Sequence, residues 1–234
     1  MDYFYTLPKN ITSDSLTIEG EEFSHLAHVM RKPVGAQIIV VDGIGKAYEA
    51  TIEEITKRAA RCSIQTTNAG LHESPVDVTL AVGLLKNHSK FDFLIEKCTE
   101  LGVNAFFPLI TERTIPRHAR TDRWQKLALA AMKQSERCIL PKVHEPGSFT
   151  NFISSASAAS LKIIPHEKIK SPTLGELLRK NTNASISICI GPEGGFTETE
   201  IAEAQSAGFL HVSLGERRLR TETAAIVAAA ACLM

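Results

Sequence analysis

The spacing of apolar positions changes period along the chain, and the changes mark out elements. Between residues 37 and 66 short β-branched runs alternate with turn residues. Gln37–Val41 reads as a strand closed by Asp42-Gly43, and Ala47–Ile55 and Ala60–Thr66 read as two more. Val29–Arg31 ends a short helical stretch before the turn at Pro33-Val34-Gly35. Strands broken by turns at this frequency predict a small barrel or sandwich. The polar stretch Asn68–Pro75, carrying Gly70 and Pro75, reads as a linker. Beyond it the pattern lengthens. Val76–Leu84 is apolar enough for a strand buried on both faces. From Lys90 to Leu101, Phe91, Phe93, Leu94, Ile95 and Cys98 recur at helical spacing; Gly102 stops the helix, and Ala105–Ile110 is the next strand. Strand, helix and strand in this succession make a βαβ unit. Arg123–Gln134 is a further helix with Trp124, Leu127 and Ala131 on one face, and Leu161–Ile164 a further strand. The expected organisation is therefore α/β, with a β domain over 1–70 and an α/β domain over 71–234.

The C-terminal third carries the most specific pattern. Ile186, Ile188 and Ile190 alternate in a strand that breaks at Gly191-Pro192-Glu193-Gly194-Gly195, after which Thr197 and Glu200 form a capping box. A glycine turn between strand and helix lets bare backbone approach a ligand and offers it free amide groups. An ordinary tight connection would read the same way. A second unit follows: Val212–Leu214 as a strand, Gly215, four charges in Glu216–Arg220, then Thr221-Glu222-Thr223 opening an alanine-rich helix. Two such units in succession read as two walls of one pocket at the C-terminal ends of parallel strands. Neither the Walker loop nor the dinucleotide fingerprint is present, since Phe196-Thr197 follows the glycines.

Composition narrows the function classes. In 234 residues, 26 Lys and Arg balance 26 Asp and Glu, so a global basic field for nucleic acid is excluded and any such contact needs a local patch. The densest basic stretch is Arg113, Arg117, Arg120, Arg123 and Lys126, which a solvated loop would also explain. Five scattered cysteines without a C-x-x-C pair imply neither a zinc site nor disulfides, so no metal is expected. The first residues lack a signal-peptide pattern, and the apolar run Ala224–Met234 is too short to span a bilayer. A cytoplasmic protein that engages no membrane is the expectation.

The motifs GPEGGFTETE and LGERRLRTETAA resemble the SPOUT class of methyltransferases and, within it, the ribosomal RNA small subunit methyltransferase E family. The likeness extends through EEFSHLAHVMRKPVGAQIIVVDGIGKAYEATI, KFDFLIEKCTELGVNAFFPLITERT and RWQKLALAAMKQSERCILPKV, where Arg31, Lys86, Arg113, Gln134 and Arg137 fall on recurring positions. The resemblance implies a small PUA-like β-barrel domain that positions RNA, then a SPOUT domain whose chain is tied in a trefoil knot over about 160–234. It implies a homodimer acting on 16S ribosomal RNA within the assembled small subunit, and methylation of N3 of a uridine from S-adenosyl-L-methionine. The cofactor residues it implies are Pro165, Ile190, Gly191, Gly194, Gly195, Leu214, Gly215, Leu219 and Thr221. RNA would be met by Arg31, Lys86, Arg113, Arg117, Arg120, Arg123, Gln134 and Arg137.

Methylating N3 requires a uracil that has lost its N3 proton. An arginine against a uracil carbonyl favours that anion without itself titrating. Arg220 and Arg217 are the candidates for this. Glu193 is the nearest candidate base, although contact with backbone amides is an equal reading of it. Arg218 stands where the family usually has an aliphatic residue, and its direction decides whether it adds to RNA contact or displaces its neighbours' roles. A catalytically silent RNA-binding protein, or an enzyme of the same class acting on tRNA, is the rival expectation.

Overall fold

In a computed structural model, residues 1–116, 118–179 and 184–234 are described. They divide into two compact units, Met1–Glu73 with Leu129–Leu140, and Ser74–Ala128 with Pro141–Met234. The expected division at 70/71 had assigned 129–140 to the second unit.

The first unit is built on strands β1 (Tyr3–Tyr5), β2 (Ser15–Glu19), β3 (Gln37–Val41), β4 (Lys46–Ile55) and β5 (Ala59–Ala69) in the order β1-β3-β4-β5-β2. β1 runs parallel to β3 and the other pairs are antiparallel. This mixed sheet is a half-barrel, where a small barrel or sandwich was expected. At its two edges the Thr6 hydroxyl donates to the Thr17 carbonyl at 2.6 Å. Helix α1 (Gly20–Ser24), continued by a π-helical turn at His25–Val29, packs Phe23 and Leu26 into a core with Phe4, Ile18, Ile38 and Ile52.

The second unit carries β6 (Asp77–Gly83), α2 (His88–Leu101), β7 (Ala105–Ile110), α3 (Thr121–Gln134, its last turns counted with the first unit), β8 (Lys142–Val143), β9 (Gly147–Ser148) and α4 (Phe149–Ser155). Then come β10 (Leu161–Pro165), α5 (Leu174–Arg179), β11 (Ser185–Ile190), α6 (Glu198–Ser206), β12 (Leu210–Val212) and α7 (Thr221–Leu233). Among the described residues every strand pairing in this unit is parallel, in the order β12-β10-β11-β6-β7-β8 with β9 also on β7. Such a sheet is covered on both faces, which is why β6 and β11 read as apolar runs. One face packs Phe149, Phe152, Phe196 and Phe209. α7 buries Ala225, Ala228 and Ala229 and packs beside α2, since small side chains let two helices approach closely.

Two local signals hold to the residue: Gly102 ends α2 at φ 114°, and Thr197 caps α6 through the expected box with Glu200. β12 lies two residues earlier than expected. Its last pair is Val212 with Pro165, and the Ser213 amide turns away to the Pro172 carbonyl at 2.9 Å.

Candidate active site

Because β10, β11 and β12 are parallel neighbours, the loops leaving their C-terminal ends open on the same side of the sheet. Together they line a cavity of about 900 Å³ within the second unit, also walled by the starts of α2 and α7.

The loop after β11 is cross-tied. Glu193 Oε1 accepts the Lys86 backbone N–H at 3.0 Å. Arg113 Nη1 donates to the carbonyls of Gly194 at 2.9 Å and Phe196 at 3.2 Å. Buried Glu200 accepts from the amides of Thr197 and Glu112, each at 2.8 Å. Gly83, at the end of β6, is indispensable to this packing: a Cβ there would stand 2.5 Å from the Pro192 ring.

The loop after β12 is tied at its start, where Ser213 donates to the Pro172 carbonyl and accepts the Leu174 amide, each at 2.9 Å, and beyond that is held mainly by itself. Ser213 Oγ accepts the Gly215 amide at 3.1 Å, and Arg218 pairs with Glu167 at 3.1 Å on the surface. Arg217 and Arg220 are exposed beside the cavity, Arg220 at the N-cap of α7. The loop after β10 supplies Pro165 and His166, and burial holds the His166 imidazole below the ordinary histidine range. On the part of the wall formed by the starts of α2 and α7, Lys90 Nζ lies 3.1 Å from Glu222 Oε1.

All nine candidate cofactor residues, Pro165, Ile190, Gly191, Gly194, Gly195, Leu214, Gly215, Leu219 and Thr221, line this one cavity, as do Arg217, Arg220 and Glu193. Gly195 (φ 67°) and Gly215 (φ 114°) would place a Cβ within 4 Å of nothing. The space they leave is the kind that a ligand pressed against main chain would fill, and the volume lies near the top of the range of about 300–1,000 Å³ for small-molecule sites.

Other expectations are redirected. Glu193 is exposed and serves a backbone amide, the second of its two readings, so it holds the loop. Arg218 points to Glu167 rather than displacing Arg217 or Arg220. Arg113 lines the cavity with its guanidinium bonded to the glycine loop. Arg137 is corrected as an RNA contact. Its side chain is 2% exposed and its Nη2 lies 2.8 Å from Glu73 Oε2, because a buried guanidinium needs a carboxylate. Glu73 Oε1 further accepts the amides of Cys138 and Ile139, fastening this segment within the first unit. Gln134 beside it is exposed. Arg31, in the same unit, is exposed at φ 50°. Lys86 and Arg120 are exposed, Arg123 bonds Asp92 at 2.8 Å, and Arg117 lies outside the described residues. Sequence reasoning passed over Lys90 and Glu222 as site residues. They stand 132 positions apart, and each looks like a solvated helix charge when taken alone.

A family model described as an RNA methyltransferase domain matches residues 72–233, and one described as an RNA methyltransferase PUA domain matches 18–65. Ribosomal RNA small subunit methyltransferase E of Synechocystis sp. is 38% identical over 95% of this chain and 74% of its own length. That of Bacillus subtilis is 32% identical over 98% of this chain and 94% of its own. The chain belongs to the ribosomal RNA small subunit methyltransferase E family. The half-barrel is thus a PUA-like domain and the parallel sheet the methyltransferase domain of this family. Among solved structures, the family member from Neisseria gonorrhoeae bound to S-adenosyl methionine superposes with a TM-score of 0.88, at 35% identity over 99% of this chain and 96% of that one. A methyltransferase from Legionella pneumophila in complex with the same cofactor gives 0.83, at 31% identity over 97% and 94%.

Proposed function

We propose that this chain methylates N3 of a uridine in 16S ribosomal RNA, using S-adenosyl-L-methionine. The observation that carries the reading is the convergence of three strand-end loops, two of them glycine-bearing, on one cavity of about 900 Å³ beside Arg217 and Arg220. When bound, the cofactor supplies a methyl group on a sulfonium. The chain's part is to hold it by the main chain of Ile190, Gly191, Gly195, Leu214, Gly215 and Leu219, with Pro165, Gly194 and Thr221 closing the walls. Arg220, seconded by Arg217, faces a uracil carbonyl and favours the base that has lost its N3 proton. Arg31, Lys86, Arg120 and Arg123 remain as phosphate contacts for the ribosomal RNA.

Three finer features belong to the same reading. The strand order β12-β10-β11, in which the chain passes back across β10, supports a trefoil knot over about 160–234. Thr223, Val227 and Ala231 leave an uncharged exposed face on α7, which suits a homodimer. No helix among the described residues is long and apolar enough to cross a membrane, which is consistent with action in the cytoplasm on the assembled small subunit. Mapping modified uridines in total RNA from a strain lacking the gene tests the function. One N3-methyluridine should vanish from 16S RNA and return with the wild-type gene. Loss of a tRNA modification instead would favour the rival enzyme, and no loss at all a silent RNA-binding protein.

A further inference from the structure

Arg113 joins the cavity wall from a pinned turn. After β7 the buried Thr111 amide donates to Thr114 Oγ1 at 2.9 Å, and the Glu112 amide donates to Glu200 at 2.8 Å. The stem of Arg113 lies against the glycine loop, since a Cβ on Gly194 would stand 3.2 Å from Arg113 Cβ and 3.5 Å from its Cδ. Nη1 donates to two carbonyls, those of Gly194 and Phe196, which occupies both of its hydrogens. The N–H groups of Nε and Nη2 have no partner among the described residues. On a guanidinium these form a parallel pair, the fork that takes two oxygens of one phosphate or carboxylate. Arg123, Arg137 and Arg218 each meet a carboxylate. Arg113 is exposed, lines the cavity and meets none among the described residues.

We propose that Arg113 is a positioning residue that couples the two ligands of the site: its free edge takes a phosphate of the RNA backbone while Nη1 holds the glycine loop for the cofactor. This rests on the reading above in that the polyanion is ribosomal RNA. A phosphate is favoured over the carboxylate of the cofactor because the side chain is exposed, and because Arg120 and Arg123 continue the same basic segment. An exposed arginine gives up much rotamer freedom when it is fixed. One immobilised guanidinium serves both ligands, so whichever binds second meets a side chain already held. The gain is modest, since Glu193 and Glu200 brace the same loop without RNA. It is also reciprocal: the cofactor raises RNA affinity by the factor by which RNA raises cofactor affinity.

The test measures the affinity of S-adenosylhomocysteine, which has no methyl to transfer, with and without small ribosomal subunits from a strain lacking the gene. Wild type is compared with Arg113→Lys and Arg113→Gln. Subunits should tighten wild-type binding by at least about threefold. Lysine keeps the charge and glutamine keeps a donor for the loop, but neither has two edges, so the gain should vanish in both. Their RNA-free affinity should stay within about tenfold of wild type, and subunit affinity should fall in Arg113→Gln. A wild-type gain below about threefold overturns the proposal, as does a gain kept in either variant. Variants that weaken cofactor binding equally with and without subunits keep the gain, which would leave Arg113 a loop brace and nothing more. An RNA-free loss of more than about tenfold would assign the free edge to the carboxylate of the cofactor and overturn it too. Should one variant fail to fold, the other decides. Wild-type protein that binds the cofactor but no ribosomal subunit defeats the function itself, and this proposal with it, a result distinct from those above.

Discussion

The two glycine loops of the cavity look alike in sequence and are held in opposite ways. The loop after β11 is fixed from three directions: Glu193 reaches the end of β6, Arg113 arrives from beyond β7, and Glu200 bonds back from α6. The loop after β12 has its tie at Ser213 and a surface ion pair at Arg218, and it presents Arg217 and Arg220 to solvent. The first is a platform whose shape is set before a ligand arrives. The second leaves Arg217 and Arg220 exposed beside the cavity, which suits the polyanionic substrate of the proposed function. A binding site for a small cofactor and a large substrate benefits from both, since preorganisation favours the former and charge steers the latter.

The sharpest way to break this contrast is Glu200→Ala. It strands the buried amide of Thr197 and removes the bond to the Glu112 amide, and should lower stability by about 1–3 kcal/mol and weaken cofactor binding in calorimetry. If both stay unchanged, the first loop is not a braced platform. Gly215→Ala probes the second loop: its Cβ meets no atom within 4 Å, so the cost is the backbone at φ 114°, about 1–2 kcal/mol by thermal unfolding. Arg218→Ala should change stability by less than about 0.5 kcal/mol, because its pair with Glu167 is exposed. RNA affinity should nevertheless fall and its salt dependence become shallower. The smallest effect concerns pH. Burial lowers the pKa of both His144 and His166, so the unfolded chain takes up protons first as pH drops below about 6.5, and stability should decline from there downward. His166→Asn should flatten part of that slope in melts taken at stepped pH, and an unchanged slope would show that His166 is not its source.

Much of the layout was legible because it is written in short-range pattern. β3, β7 and β11 follow from runs of apolar residues, and the α6 capping box from residues three apart. What escaped lies in long separations. Arg137 read as an RNA contact, and only its meeting with Glu73, 64 positions away, turns it into a buried structural ion pair. β1 and β2 went unread because three and five residues carry too little period to notice, and their partners are remote in sequence. The half-barrel likewise depends on which strands end as edges, a matter of pairing rather than composition.

By itself, the order of residues determined where backbone could bend without a side chain, where helices begin, and which family's motifs the chain carries, because turns and caps are decided within a few residues. The tertiary structure alone decided that three loop ends share one cavity, that Glu193 bonds a backbone amide, the second of its two readings, and that Lys90 meets Glu222. Those facts depend on the packing of a parallel sheet, which brings strand ends together whatever their distance along the chain.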